Sequence, residues 1–402
     1  MNSQHSRSKL YLDPNLHIVF AVTLMAIMGV ANITPAFPRI AKELNVTPAQ
    51  IAYLITYFTV PGVFLSPILG VLADRLGRKR ILAPSLFLFG IAGTACGLVR
   101  NFDLLLGLRF LQGVGAAAIG ALNVTIIGDL YAGRERTTAM GYNSSVLSVG
   151  TAIYPLLGGA LATIGWHYPF LVSIVAVPVG LVVLLGLKSP EPRNKQPLRA
   201  YFGDVWLIVR QRSMIGLFMG GLVTFIVLYG SYLTFLPFLV ARSFRGTPLM
   251  IGIILSCASI SGALTASQLG WFARRFPEKR LLAAGFVLYA LSMALVPFMP
   301  SLWILLVPAV IQGVAMAFTM PTINSLMAAF APVNQRGAIM SLNGMVLRLG
   351  QTLGPIVMSA VFAARGFHGV YFAGSLFALG MSLVAVIMIE QPKEQEIRSV
   401  SS

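Results

Sequence analysis

Residues 70–80 read GVLADRLGRKR, and residues 270–280 read GWFARRFPEKR. The same displacement carries Gln112-Gly113-Val114 onto Gln312-Gly313-Val314, Arg136 onto Arg336, Asn143 onto Asn343, Gly150 onto Gly350 and Pro155 onto Pro355. Matches this numerous in a single register mark an internal duplication. Any fold the chain adopts must therefore be a pair of related halves.

Composition decides what kind of half this is. The 402 residues are 57% hydrophobic and 10% charged, whereas soluble domains carry roughly 25% charge. Such a chain cannot cover a globular surface with polar groups. Its apolar runs are long enough to cross about 30 Å of hydrocarbon as helices. They fall near 16–38, 50–72, 81–99, 104–128, 138–164 and 168–187, and again near 213–240, 249–272, 281–299, 302–330, 338–364 and 370–389. The expected fold is an all-α membrane protein of twelve transmembrane helices in two pseudo-symmetric six-helix halves, residues 1–187 and 213–402, joined by a linker at 188–212.

The net charge of +17 would suggest nucleic acid in a soluble protein, but the basic residues mark one membrane face instead. They cluster in both tails, at Arg75–Arg80, at Arg134 and Arg136, along Lys188–Arg212, at Arg274–Arg280 and at Arg336. The opposite loops carry only Arg39, Lys42, Arg100, Arg242, Arg245 and Arg365. The positive-inside rule puts both termini in the cytoplasm. The first apolar run is too long for a cleavable signal and reads as the first span. Cys96 and Cys257 fall within predicted spans as packing residues. Short loops and tails suggest a bacterial plasma (inner) membrane. In the linker, KSPEPRNKQP is proline-rich and charged, and Leu198–Arg212 sets Tyr201, Trp206 and Val209 against Arg199, Arg210 and Arg212, the pattern of a helix lying on the membrane interface.

Over nearly its whole length the chain resembles the major facilitator superfamily, and within it the twelve-helix drug/proton antiporters. The first resemblance lies in GVLADRLGRKR. Gly70 and Gly77 permit close approach and a tight turn, while Asp74, Arg75 and Arg78 supply opposite charges at helix ends. In the family such a cluster latches the halves in one state of the cycle. The second copy has Arg274 where the first has Asp74, so its latch is expected to be weaker. The second resemblance is LLGLRFLQGVGAAAIG, built on Arg109 inside a span. A buried cation there must be satisfied internally or face a polar cavity, so a structural role and a role in substrate or ion coupling are both open, the latter being the expectation. The third is SVGTAIYPLLGGAL, with Gly150, Pro155, Gly158 and Gly159 expected to bend and thin the helix, echoed by Gly354 and Pro355 in the second half. Tyr154 stands where the family carries glycine.

All twelve acidic residues fall in loops, tails or helix ends, and the four histidines are peripheral. Antiporters of the resembled branch place a carboxylate in the first helix before a Pro-x-x-Pro segment like Pro35–Pro38, whereas here Ala31 and Asn32 occupy that neighbourhood. Proton coupling is thereby left to rim carboxylates such as Asp74, Asp103 or Asp129, or is absent. The expected substrate-binding set is neutral, aromatic and cationic: Asn32, Tyr57, Arg109, Gln112, Tyr232, Gln312, Asn343, Arg348 and Gln351. Arg348 has Ser148 as its repeat counterpart, so it is not inherited scaffold. Intramembrane arginines without intramembrane carboxylates favour an anionic or dipolar ligand.

The duplication and the resemblance together imply a monomeric secondary transporter that works by alternating access, exporting small amphipathic compounds in the manner of multidrug efflux. Membrane lipid surrounds it, protons are a candidate coupling ion, and no cofactor, metal or nucleic acid is expected. The spans hold no catalytic constellation, so an enzyme is not expected. Two alternatives stay open: an importer or facilitator of a small anionic or zwitterionic nutrient, since fold does not fix direction, and a non-transporting sensor or scaffold.

Overall fold

The computed structural model describes residues 10–188, 208–332 and 335–390, and every regular element among them is a helix. Among the described residues, eleven helices are long and apolar enough to cross a membrane. The first ten are α1 (Pro14–Glu43), α2 (Pro48–Leu76), α3 (Arg78–Cys96), α4 (Phe102–Leu130), α5 (Gly133–Ile164), α6 (Tyr168–Gly186), α7 (Arg212–Ser243), α8 (Pro248–Ser267), α9 (Glu278–Phe298) and α10 (Trp303–Phe330). The eleventh, Arg336–Met388, turns at Gly366, where φ is 63° and ψ is −160°. That conformation belongs essentially to glycine, and it divides the stretch into α11 (336–365) and α12 (367–388). All twelve expected spans are therefore present, with ends displaced by a few residues. The interfacial helix expected over Leu198–Arg212 falls largely on 198–207, outside the described residues.

The helices group into two compact units. Among the described residues, one comprises 10–188 with 247–256, and the other 208–246 with 257–332 and 335–390. Their interiors are built by backbone approach at glycine. In the first unit a Cβ on Gly113 of α4 would strike the Phe58 carbonyl of α2, and in the second a Cβ on Gly313 of α10 would strike the Ala258 carbonyl of α8. The repeated Gln-Gly-Val thus marks the same helix crossing twice.

The leading helix of each unit is irregular in mid-span. α1 is α-helical over Pro14–Ala31, 3-10 over Thr34–Ala36 and α-helical again over Phe37–Glu43. Pro35 and Pro38 each lack an N–H to continue the ladder. α7 is α-helical over Arg212–Phe225, π-helical over Ile226–Phe235 and α-helical over Leu236–Ser243. A π-helical run of this length is rare, and such segments concentrate at functional sites.

Candidate functional site

Interrupted membrane helices at matching positions of two repeats are the usual framework of a transporter's binding site. In the second unit the π-helical segment of α7 carries Tyr229. Gln351 of α11 donates from Nε2 to the Tyr229 hydroxyl at 3.3 Å. Arg348, one turn earlier on α11, is an electrostatic neighbour of the same hydroxyl. Phe225 stacks on the Tyr229 ring, centroids 5.6 Å apart and planes 14° from parallel. Tyr229, Arg348 and Gln351 are all half-buried. The first unit has Gly29, Ser148 and Thr151 at the corresponding positions, so this cation, phenol and amide cluster has no counterpart there.

Arg109 has a different setting. It is fully buried, donates from Nε to the Leu54 carbonyl at 3.1 Å and from Nη1 to Gln112 Oε1 at 2.5 Å, and lies 4.1 Å from the centroid of the Phe58 ring. Gln112 in turn donates to Ser173 Oγ at 3.2 Å. A carbonyl, an amide oxygen and an aromatic face are the acceptors a cation needs in a dry interior. The network joins α2, α4 and α6 inside the first unit, and leaves Arg109 Nη2 without a partner.

The other expected residues are scattered. Asn32 is buried and donates to the Pro169 carbonyl at 2.7 Å, joining α1 to α6. Tyr57 is 42% exposed on α2, edge-on to Tyr53 at 6.5 Å. Tyr232 is buried with its hydroxyl unpartnered. Gln312 is 2% exposed with neither amide atom hydrogen-bonded. Asn343 donates to Asn324 Oδ1 at 3.2 Å. That pair echoes the first unit, where the Thr23 hydroxyl lies 3.0 Å from Asn123 Oδ1 and 2.5 Å from Asn143 Oδ1.

The charged rim is more elaborate than its motif. Arg78 lies 2.5 Å from Asp74 through Nη1 and 2.9 Å from Asp129 through Nε. The sequence presents Asp129 only as a rim carboxylate. A signal for its pairing exists all the same: an anion in the last turn of a helix opposes the helix dipole and calls for a cation. Gly77 adopts φ 101°, where a side chain would be strained. Gly70 has open space where a Cβ would stand, and Arg75 is exposed. Just past α4, Tyr131 donates its hydroxyl to Asp13 Oδ2 at 2.6 Å, tying the end of α4 to the start of α1. Burial, aided by that acceptor, pushes the Tyr131 phenol up.

The glycine and proline set lies where α5 and α11 each pack closely on neighbours within their own unit. A Cβ on Gly158 would fall on the Asn32 carbonyl, and one on Gly159 would stand 2.5 Å from the Pro248 carbonyl. Gly150 packs beneath Leu24 and Ile27 of α1. In the second unit a Cβ on Gly354 would stand 2.8 Å from the Ile226 carbonyl and 3.0 Å from the Gly230 nitrogen. Tyr154, the counterpart of Gly354, is buried. The tight crossing has thus moved one helical turn between units, from Gly354 in the second to Gly158 in the first. Pro155 and Pro355 sit inside their helices at these crossings.

The model of the Major Facilitator Superfamily matches residues 19–244 and 222–402. Multidrug resistance protein 1 of Bacillus subtilis strain 168 is 27% identical over 378 residues, which cover 92% of this chain and 95% of that protein. The bacillibactin exporter of the same strain is 26% identical, with coverage of 95% and 98%. The quinolone resistance protein NorA of Staphylococcus aureus is 22% identical, with coverage of 96% and 98%. Among solved structures, the nucleoside transporter NupG superposes with a TM-score of 0.78 at 16% identity, covering 94% of this chain and all of that one. The D-xylose-proton symporter superposes with the same TM-score at 14% identity, with coverage of 95% and 99%. The chain belongs to the Major Facilitator Superfamily of membrane transporters.

Proposed function

We propose that the chain is a secondary active exporter of small amphipathic compounds, working by alternating access as a monomer in a bacterial plasma membrane with both termini cytoplasmic. Membership of the superfamily and full-length similarity to proteins named for multidrug resistance, quinolone resistance and bacillibactin export support the direction and the breadth of substrate. The observation that carries the substrate class is the cluster of Arg348, Tyr229 and Gln351 on the irregular segment of α7 and the facing turn of α11. A fixed cation flanked by a phenol and an amide suits an anionic or dipolar group, held by charge and oriented by hydrogen bonds.

Arg109 and Gln112 act in this reading as positioning residues that hold α2, α4 and α6 together, because Arg109 donates to Leu54 and Gln112, and Gln112 donates to Ser173. Arginine stays charged when buried and cannot carry a proton, so protons enter as coupling ion through the ligand or a rim carboxylate. Asp74, Arg78 and Asp129 form the latch whose breaking accompanies the change of state. Everted membrane vesicles test the proposal. Vesicles carrying the protein should accumulate an acidic or zwitterionic amphipath above empty vesicles, and uptake no better than in empty vesicles across such a panel would contradict it.

A further inference from the structure

The duplication allows each polar group in one unit to be checked against its copy. In the first unit Gln112 Oε1 accepts from Arg109 and Gln112 Nε2 donates to Ser173, while Phe58 covers the Arg109 guanidinium. Two hundred residues on, the glutamine is kept as Gln312, but Arg109 is replaced by Ala309, Ser173 by Ala373 and Phe58 by Ala258. The backbone crossing survives, with Gly113 against the Phe58 carbonyl and Gly313 against the Ala258 carbonyl. The second unit therefore retains a buried amide after losing both of its partners and the ring above them.

Gln312 is 2% exposed, and neither its oxygen nor its nitrogen has a hydrogen-bond partner. Three hydroxyls on neighbouring helices are engaged elsewhere: Tyr289 donates to Met316 Sδ, Ser292 to the Pro308 carbonyl and Ser261 to the Val310 carbonyl, while the buried hydroxyls of Tyr232 and Tyr371 are, like the Gln312 amide, without a partner. A buried amide left unpaired in this way is strongly disfavoured. Its requirement is specific, since Oε1 needs a donor and Nε2 an acceptor. An ionised carboxylate supplies only acceptors and an ammonium or guanidinium only donors, so neither serves both atoms.

We propose that the interior of the second unit contains a binding site, anchored on Gln312, for a small neutral molecule or group that both donates and accepts hydrogen bonds. Water and the hydroxyl or amide of an organic compound share this chemistry. The site does not depend on what the chain exports.

Hydroxyl-radical footprinting of the purified full-length protein tests it, because radicals formed from internal water oxidise the methionine beside it. Met293 is fully buried and is the counterpart of Gly93, whose absent Cβ would touch the Gln112 amide. Met358, equally buried in the apolar cluster of Ile226, Phe235 and Val370, is the dry reference. Met293 should be oxidised well above Met358 in the wild type and fall to the Met358 level in Gln312→Met. Acetamide is the organic probe: protection of Met293 by acetamide assigns the site to exchangeable organic groups, and oxidation unchanged by acetamide assigns it to water. Wild-type Met293 no more reactive than Met358 would overturn the proposal. So would a Gln312→Met protein whose Tm falls by more than about 2 °C while Met293 oxidation is unchanged, because the amide would then be held by protein groups.

Discussion

Arg78 donates from Nε to the carboxylate of Asp129 at 2.9 Å, joining the first turn of α3 to the last turn of α4. In the second unit the counterpart of Arg78 is Glu278, which opens α9 and accepts from the neutral Ser325 hydroxyl of α10 at 2.7 Å, a hydrogen bond in place of an ion pair. Only the first unit adds a second carboxylate, Asp74, at 2.5 Å from the same guanidinium. The carboxylates are substantially exposed, with side-chain exposures of 51% and 37%, so each pair contributes only about 0.2–1 kcal/mol to stability. Asp74→Asn and Asp129→Asn should therefore leave expression and Tm nearly unchanged while greatly slowing transport. Arg274→Asn should be milder. Equal transport defects in the three variants would mean that the two rims do not differ as inferred.

Arg109 and Arg348 should separate stability from binding. Removing Arg109 leaves the Gln112 amide oxygen without its donor in a dry interior, at about 1–3 kcal/mol, and removes the tie to the Leu54 carbonyl. Arg109→Ala should lower Tm by several degrees. Arg348 is half-buried beside Tyr229 and Gln351, so Arg348→Ala should keep Tm within about 2 °C and weaken substrate binding. Thermal unfolding with and without ligand reads both.

Glycines of similar motif standing should differ in their response to alanine. Gly158→Ala and Gly354→Ala drive a methyl into a neighbouring backbone, at about 1–3 kcal/mol or more, and should reduce the yield of folded protein. Gly77→Ala should cost about 1–3 kcal/mol through its positive φ alone. Gly70→Ala meets nothing within 4 Å and should fold like the wild type. A transport defect in Gly70→Ala at unchanged Tm would place its close contact in another state of the cycle.

Tyr131 gives a pH dependence with a fixed sign. Its phenol is held above the ordinary tyrosine value by burial and by Asp13, so the folded state keeps a proton that the unfolded state releases above about pH 10. The stabilisation is complete below that pH and is lost as pH rises further. Between pH 8 and 11 the Tm of the wild type should fall more steeply than that of Tyr131→Phe; parallel curves would contradict the assignment.

The spans are legible in the sequence because the length and hydropathy of each run are set by the bilayer, and the repeat fixes their pairing. Less legible is the form of α7. Nothing in IVLYGSYLTF marks a π-helix, which arises where Gly230 and Gly354 bring two backbones together. The polar residues of the spans can be found but not sorted. Gln112 and Gln312 look alike in sequence, and only their neighbours distinguish a satisfied amide from an unsatisfied one. Tyr229, Arg348 and Gln351 are each recognisable as intramembrane polar residues, yet their convergence depends on the register between α7 and α11, which hydropathy does not encode.

Proteoliposomes with an imposed pH gradient test the central claim, that this is an exporter whose second unit meets an anionic or dipolar substrate through Arg348. The protein should move an acidic or zwitterionic amphipath across the membrane, the rate should collapse in Arg348→Ala at unchanged protein level, and ethidium should be a poor substrate. Strong gradient-driven movement of ethidium, indifferent to Arg348→Ala, would contradict the account.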